Sequence, residues 1–421
     1  MTLLGGRLSP LLITCLLALP AQAQQNTPLT LAEAEDIALE QEPGYEALLL
    51  QSQALAEEAV AAGQLPDPLL RVGVGNYPIQ SGSFSTEGMT QAQLGYRQSF
   101  PSGDSREFST LRFEALSLEM SESAGARQRD VLSQVRRVWF DAYYWQQARA
   151  MVEEKRPFFA DLVEITRSWY AVGRKTQQDV LRAELELTRI DDRLIEIDKH
   201  YSQAVAALGE WTGVAARRPI ATGLPGWDAT PSIGVLRLNL QSLPVLLAAE
   251  ARIDAQEAEV GVAEENRKPG WSIDVGYGYR EGELANGDPR SDFISVAVTT
   301  ELPFFGKNRQ DRVLSAALRE RSAATYRKEQ LHRRLLSELD AAYARWRDLD
   351  RRAALYESSM LSLSADHAQA ALLAYQSDAG DFADVMRGYI DELNVRLEHL
   401  RLQIERAQTY AVLANLGGLS R

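Results

Sequence analysis

The chain has a single cysteine, Cys15, and that scarcity removes several kinds of chemistry at once. One thiol cannot close an internal disulfide or build a cysteine-ligated metal site. Cys15 lies within the apolar run Leu11 to Leu19, which follows Arg7 and precedes Pro20 and the small-residue triplet Ala21-Gln22-Ala23. This order reads as a secretory signal over residues 1–23 with cleavage after Ala23, so Cys15 is expected to leave with it. The run falls far short of the ~20 apolar residues of a spanning helix. A lipoprotein signal would place Gly, Ala or Ser just before the cysteine, whereas Ile13-Thr14 precedes it here.

Histidine is almost as sparse. His200, His332, His367 and His399 share no metal-ligand spacing and read as surface residues. Met89 and Met386 read as loop filler and core rather than copper ligands. Tyr143, Tyr144 and Trp145 read as helix packing. No nucleophile–base pair and no phosphate-cradling loop is present, so the chain is not expected to be an enzyme; no catalytic residue, metal site or cofactor is assigned. A formal charge of −13 argues against nucleic acid as a partner.

What the sequence does contain is a duplication. The segment from Glu42 to Gly75 has a counterpart from Leu243, with Pro43 and Pro68 spaced as Pro244 and Pro269 are. Gln98–Glu107 (QSFPSGDSRE) matches Thr300–Gln310 (TELPFFGKNRQ), and the stretch from Tyr170 (YAVGRKTQQDVL) matches that from Tyr375 (YQSDAGDFADVM). The units are residues 24–213 and 243–421, with 214–242 as a mid-level linker.

Each unit carries two alternating strands, at about 69–77 and 91–100, then 271–280 and 293–302. Leu70, Val72 and Val74 share a face; so do Ala92, Leu94, Tyr96 and Phe100, then Trp271, Ile273, Val275, Tyr277 and Tyr279, then Ile294, Val296 and Val298. Their length suits tilted membrane strands. The rest reads as helix: 104–172 and 176–211 in the first unit, 306–377 and 381–416 in the second. Pro157 should kink the first of these or be absorbed at a local irregularity. Heptad seams run through Val180, Leu187, Leu194, Tyr201 and Leu208, and through Met386, Leu393, Leu400 and Ala407.

Lengths provide a check. Each long helix spans ~105 Å and the helix returning from its far end only ~55 Å, so a second, stacked helix must complete the return. Segments 31–64 and 245–268 supply it. A soluble coiled-coil scaffold would explain the seams but not the four apolar-faced strands. Four strands do not close a barrel, and open edges are not tolerated in lipid, so other subunits must complete the sheet. Three copies would make a twelve-stranded β-barrel continued by a long α-helical barrel. Pro66, Pro68, Pro101, Pro269 and Pro303 would mark the strand–helix junctions.

The duplication, the two strands per unit, SFPSGDSRE and LPFFGKNRQ after the second strands, and Tyr170-x-x-Gly173 followed by Asp179-Val180-Leu181 resemble the outer-membrane factor (TolC) family of exit ducts. The resemblance covers nearly the whole mature chain. It implies a homotrimer in the cell outer membrane, surrounded there by lipid, with its helical barrel in the periplasm. It also implies a periplasmic adaptor (membrane fusion) protein and an inner-membrane RND-type pump as partners. The adaptor-docking tips would be Gly173, Arg174, Lys175 and Asp179 in the first unit, and Ala379, Gly380 and Phe382 in the second. The periplasmic gate would use Asp384, with Arg387 where the family has a second acid, and Asp381. Asp384 also reads as a solvated or capping residue at a helix start. The compact length and the LPFFGKNRQ junction look most like the heavy-metal (CzcC/CusC-like) branch; a drug or amphiphile duct and a type I secretion duct share the same architecture.

Overall fold

The computed structural model describes residues 27–227 and 229–418; the signal segment and Cys15 lie outside the described residues. Nine α-helices and four strands are laid out along them in chain order. Helices α1 (Leu31–Gln41) and α2 (Pro43–Ala62) lead to strands β1 (Leu69–Gly75) and β2 (Gln91–Phe100). The long helix α3 (Ser105–Ala171) runs out and α4 (Gln177–Thr212) returns. The second unit repeats this: α5 (Ile233–Leu240), α6 (Pro244–Glu265), β3 (Trp271–Tyr279), β4 (Phe293–Thr300), α7 (Gln310–Leu355), α8 (Leu361–Gln376) and α9 (Phe382–Leu416).

Where these elements differ from the expected segments, the differences are local and have physical causes. The helix expected over 31–64 is two helices, because Pro43 lacks the N–H a continuous helix would need and instead occupies the first turn of α2. Glu42 serves both ends: its carboxylate accepts from Gly44 N at 2.8 Å and from Arg127 at 3.0 Å. Segment 214–242, read as a linker, begins within the 3-10 turn Gly213–Arg217 and contains helix α5, the counterpart of α1, which buries Leu236 and Leu240. Pro157 lies inside α3 without ending it. The helix expected over 306–377 is instead divided by a π turn, Tyr356–Met360, between α7 and α8. The second unit is two residues longer than the first between its junction glycine and tip tyrosine, and a π turn is where a helix takes up extra residues.

Packing follows the return-path arithmetic. Each long helix, ~100 Å from end to end, is flanked by shorter helices stacked end on end. Helix α3 packs against α2 and α4 of its own unit and against α6 and α9 of the other, while α7 packs on α6 and α9. The second unit's return pair therefore lies between the two long helices. The main core, along the distal half, joins Phe140, Val152 and Phe159 of α3 with Ile190 and Ile197 of α4 and Leu393 and Leu400 of α9. Near mid-length the segment before α1 is pinned: Leu29 N donates to Pro219 O, and Trp139 Nε1 donates to Leu29 O at 3.1 Å. Glu35 and Arg136 form a buried ion pair at 2.6 Å there.

Candidate functional site

The four strands form one antiparallel sheet in the order β1-β2-β3-β4. Cross-strand partners include Leu70–Tyr96, Val72–Leu94, Tyr96–Val275, Leu94–Tyr277, Val275–Val296 and Tyr277–Ile294. Directly opposed residues point to the same face, so every apolar position of the sequence pattern lands on one side. Leu70, Val72, Ile294, Val296 and Val298 are all exposed there. The other face carries Arg71, Gln91, Gln93 and a row of glycines, with Arg97 Nε and Asp274 Oδ1 paired at 2.5 Å. One side suits hydrocarbon and the other water. Strands β1 and β4 are edges with unpaired backbone. Among the described residues no helix is long and apolar enough to cross a membrane.

The junction between sheet and helices depends on a contact between the two units. Gly103, at φ +43°, lies where a Cβ would sit 1.9 Å from Glu265 Oε2. That carboxylate accepts from Asp104 N at 2.8 Å and from Lys268 Nζ at 2.6 Å, and these bonds hold it below the usual carboxylate range, Lys268 most strongly.

At the far end, the two hairpin tips lie side by side. In the first, Gly173 takes the left-handed conformation (φ +73°) that closes α3, and its N–H donates to Tyr170 O at 2.9 Å. Thr176 and Asp179 then form a reciprocal capping box at the start of α4. In the second, Asp378 is left-handed (φ +55°) and Asp381 caps α9. The tips are joined by Lys175. Its ammonium lies 3.3 Å from Asp378 Oδ1 and 4.2 Å from the centre of the Tyr375 ring.

Tyr375 is buried between Trp169, at 5.2 Å between ring centres, and Phe382, at 5.4 Å. Among the described residues its hydroxyl has no hydrogen-bond partner. Burial raises its pKa above the ordinary phenol value, and the charges of Asp179, Asp381 and Asp378 raise it further.

The structure brings Lys175, Asp179, Asp378 and Asp381 together around Tyr375, and leaves Gly173, Arg174 and Ala379 exposed at the tips. Gly380 packs tightly against Ala374. Phe382, expected among the docking residues, is instead buried as the first residue of α9, because an aromatic at that point closes the apolar seam beneath the turn. Asp384 sits in the first turn of α9, exposed, and accepts from Arg387 Nη1 at 3.2 Å. Sequence reading missed Tyr375, Asp378 and Glu265; the tyrosine was visible as the repeat partner of Tyr170, but its burial was not.

Other side chains do packing work. His200 stacks on Trp145 at 4.5 Å and His399 lies 3.3 Å from Glu357. Met386 is core and Met89 is exposed in the β1–β2 loop. Among the described residues no group of three or more His, Cys, Asp or Glu is placed to hold a metal ion.

Residues 235–419 match the family model described as outer membrane efflux protein. Protein CyaE of Bordetella pertussis is 26% identical over 319 residues, 72% of this chain and 65% of CyaE, so the chain spans a little under two thirds of that relative. Among solved structures, CusC superimposes with a TM-score of 0.79 at 16% identity, covering 93% of both chains. The Campylobacter jejuni CmeC outer membrane channel gives 0.75 at 14% identity, covering 96% of this chain and 92% of its own.

Proposed function

We propose that this chain belongs to the outer-membrane factor (TolC) family, with residues 235–419 matching the outer membrane efflux protein model, and that it is the exit duct of a tripartite efflux system. It is not an enzyme. In this family the sheet sits in the outer membrane and the helical barrel extends into the periplasm. The observation that carries the duct reading is the sheet: four strands, one face predominantly apolar, two open edges, set on helices ~100 Å long. A lone copy leaves those edges unsatisfied in lipid, and three copies would close them around a lumen lined by the Arg71, Gln93 and Asp274 face.

The tips would dock a periplasmic adaptor through Arg174, Lys175 and Ala379, while an inner-membrane pump supplies the energy. The gate would lie at Asp384. Three such carboxylates around an axis repel one another and favour cations, and Arg387 moderates that repulsion within each copy.

Heavy-metal cations are the proposed cargo. Support comes from the Leu302–Gln310 junction and the compact length of the chain. The test is growth of a deletion strain and its complemented parent across copper, silver, zinc, cobalt, cadmium, dyes and antibiotics. Selective metal sensitivity restored by complementation is the expected result. Sensitivity to amphiphiles alone, or loss of a secreted protein alone, would overturn the metal cargo and leave the duct standing.

A further inference from the structure

Near mid-length the helices present two unlike faces. On one, Tyr410 of α9 stacks on Trp227 at 5.0 Å between ring centres, and Arg136 and Phe140 of α3 meet the same indole. Helix α1 and the segment around Ile220 cover α3 on that side. Two residues along a helix turn through more than half a circle, so Gln408 and Val412 of α9 point the other way from Tyr410. There α3, α7 and α9 leave a groove of about 400 Å³. Counting from Ser105 to Arg137, it lies ~48 Å down α3 from the sheet, beyond the reach of a bilayer holding the strands.

The groove has an apolar floor: Ala411 and Val412 of α9, with Ala341 and Ala342 of α7. These short side chains are what leave the space, and its size falls within the ~300–1,000 Å³ of small-molecule sites. Val412 is exposed there.

The charges at the rim do not cancel. Glu405 is engaged twice, by Arg345 Nη2 at 3.2 Å and by Arg401 Nη1 at 4.0 Å. Arg137 is left with a neutral neighbour. Its Nε and Nη2 both donate to Gln134 Oε1, at 3.2 and 2.9 Å, and among the described residues no carboxylate lies within ion-pair distance of it. Asp141, one turn along α3, accepts instead from Gln408 Nε2 at 2.9 Å. The guanidinium therefore keeps most of its donor fork for something else. A cation in the groove would meet Arg137 and Arg345 together. A neutral hydrocarbon would leave Arg137 unanswered. An anionic head on an apolar body matches both the rim and the floor.

We propose that this groove binds an anionic amphiphile, its carboxylate on Arg137 and its hydrocarbon on Ala341, Ala342, Ala411 and Val412. The charge-assisted bonds of the guanidinium select the head, and burial of the chain supplies affinity without further selection. Its charge sets this ligand apart from the proposed cation cargo.

The test uses single cysteines in the full chain. Ala341→Cys places a thiol in the groove, and Leu363→Cys places one on α8 away from it; both positions are exposed, so neither change removes core packing. The parent without an added cysteine controls for Cys15. The rate of modification by N-ethylmaleimide is measured with dodecanoate, with dodecyltrimethylammonium, each below its micelle-forming concentration, and with neither. Dodecanoate is expected to slow Ala341→Cys and not Leu363→Cys, and dodecyltrimethylammonium to slow neither. Adding Arg137→Gln should raise the dodecanoate concentration that gives half-protection about tenfold, the size of a lost hydrogen-bonded charge. Arg137 is exposed, so this change leaves the fold intact, and an unchanged melting curve checks it. Equal protection by the two amphiphiles would overturn the proposal, and so would protection that survives Arg137→Gln undiminished or no protection at all.

Discussion

Phe382→Ala separates a tip that is touched from a tip that is held. The ring is fully buried beneath the second turn, against Tyr375, which in turn carries Lys175 on its face. Truncating a buried phenylalanine costs about 3–5 kcal/mol, through lost transfer energy and the cavity left behind. The tip is the free end of a hairpin, so the loss is taken as local opening rather than global unfolding. At ~1.4 kcal/mol per tenfold, 3 kcal/mol raises the open population by about a hundredfold or more. Hydrogen exchange should report this as faster exchange in residues 371–390, with the middle of α9 unchanged. Arg174→Ala, at an exposed tip position, should leave exchange unchanged while reducing export in a complemented deletion strain. Loss of export in Phe382→Ala with exchange at the parent rate would refute the reasoning and return Phe382 to the role of a contact residue.

Gly103→Ala should be poorly tolerated: left-handed backbone costs a non-glycine residue about 1–2 kcal/mol, and the new methyl also displaces Glu265 from Asp104 N. A melting temperature equal to the parent's would contradict this. Because Glu265 has a lowered pKa in the folded chain, its contribution is complete above the unfolded value near ~4.3 and is lost as pH falls through the lower folded value. Melting curves of the parent and Glu265→Gln should therefore differ by a constant amount from neutral pH to about pH 5 and converge in stronger acid. Lys175→Met should loosen both tips together by about 1 kcal/mol, since Asp378 is mostly exposed and the ring contact is the larger part; tips that change independently in exchange would argue against the tie. Arg387→Ala should raise cation over anion selectivity in planar bilayers without changing the melt, its exposed pair with Asp384 being worth under ~1 kcal/mol; an unchanged selectivity would move the gate elsewhere.

Period and repetition made most of the architecture legible. Strand β2 was readable to its ends because Pro101 closes it and its alternation is interrupted only at Gln98. The apolar faces of four separate strands could be assigned before any pairing was known, since a period of two leaves only two faces and the sheet had to put the apolar one on a single side. Seam residues such as Leu393 and Leu400 were readable for the same reason, with heptad spacing in place of alternation. Pro43 was a less complete signal. It marks a helix start as well as a break, and choosing between them needed Glu42 and Arg127, which are far apart in the chain.

The sequence alone determined that this chain is two copies of a strand pair on long helices, because duplication and periodicity are local properties that each segment states for itself. Only the tertiary structure decided which side of each helix is covered. It seated Lys175 on Tyr375, turned Phe382 inward, set Glu265 at the start of α3, and left Leu181 open while burying its repeat, Met386. Repeated units acquire different surroundings when one chain places its second return path between its two long helices, and no pattern within either unit records that choice.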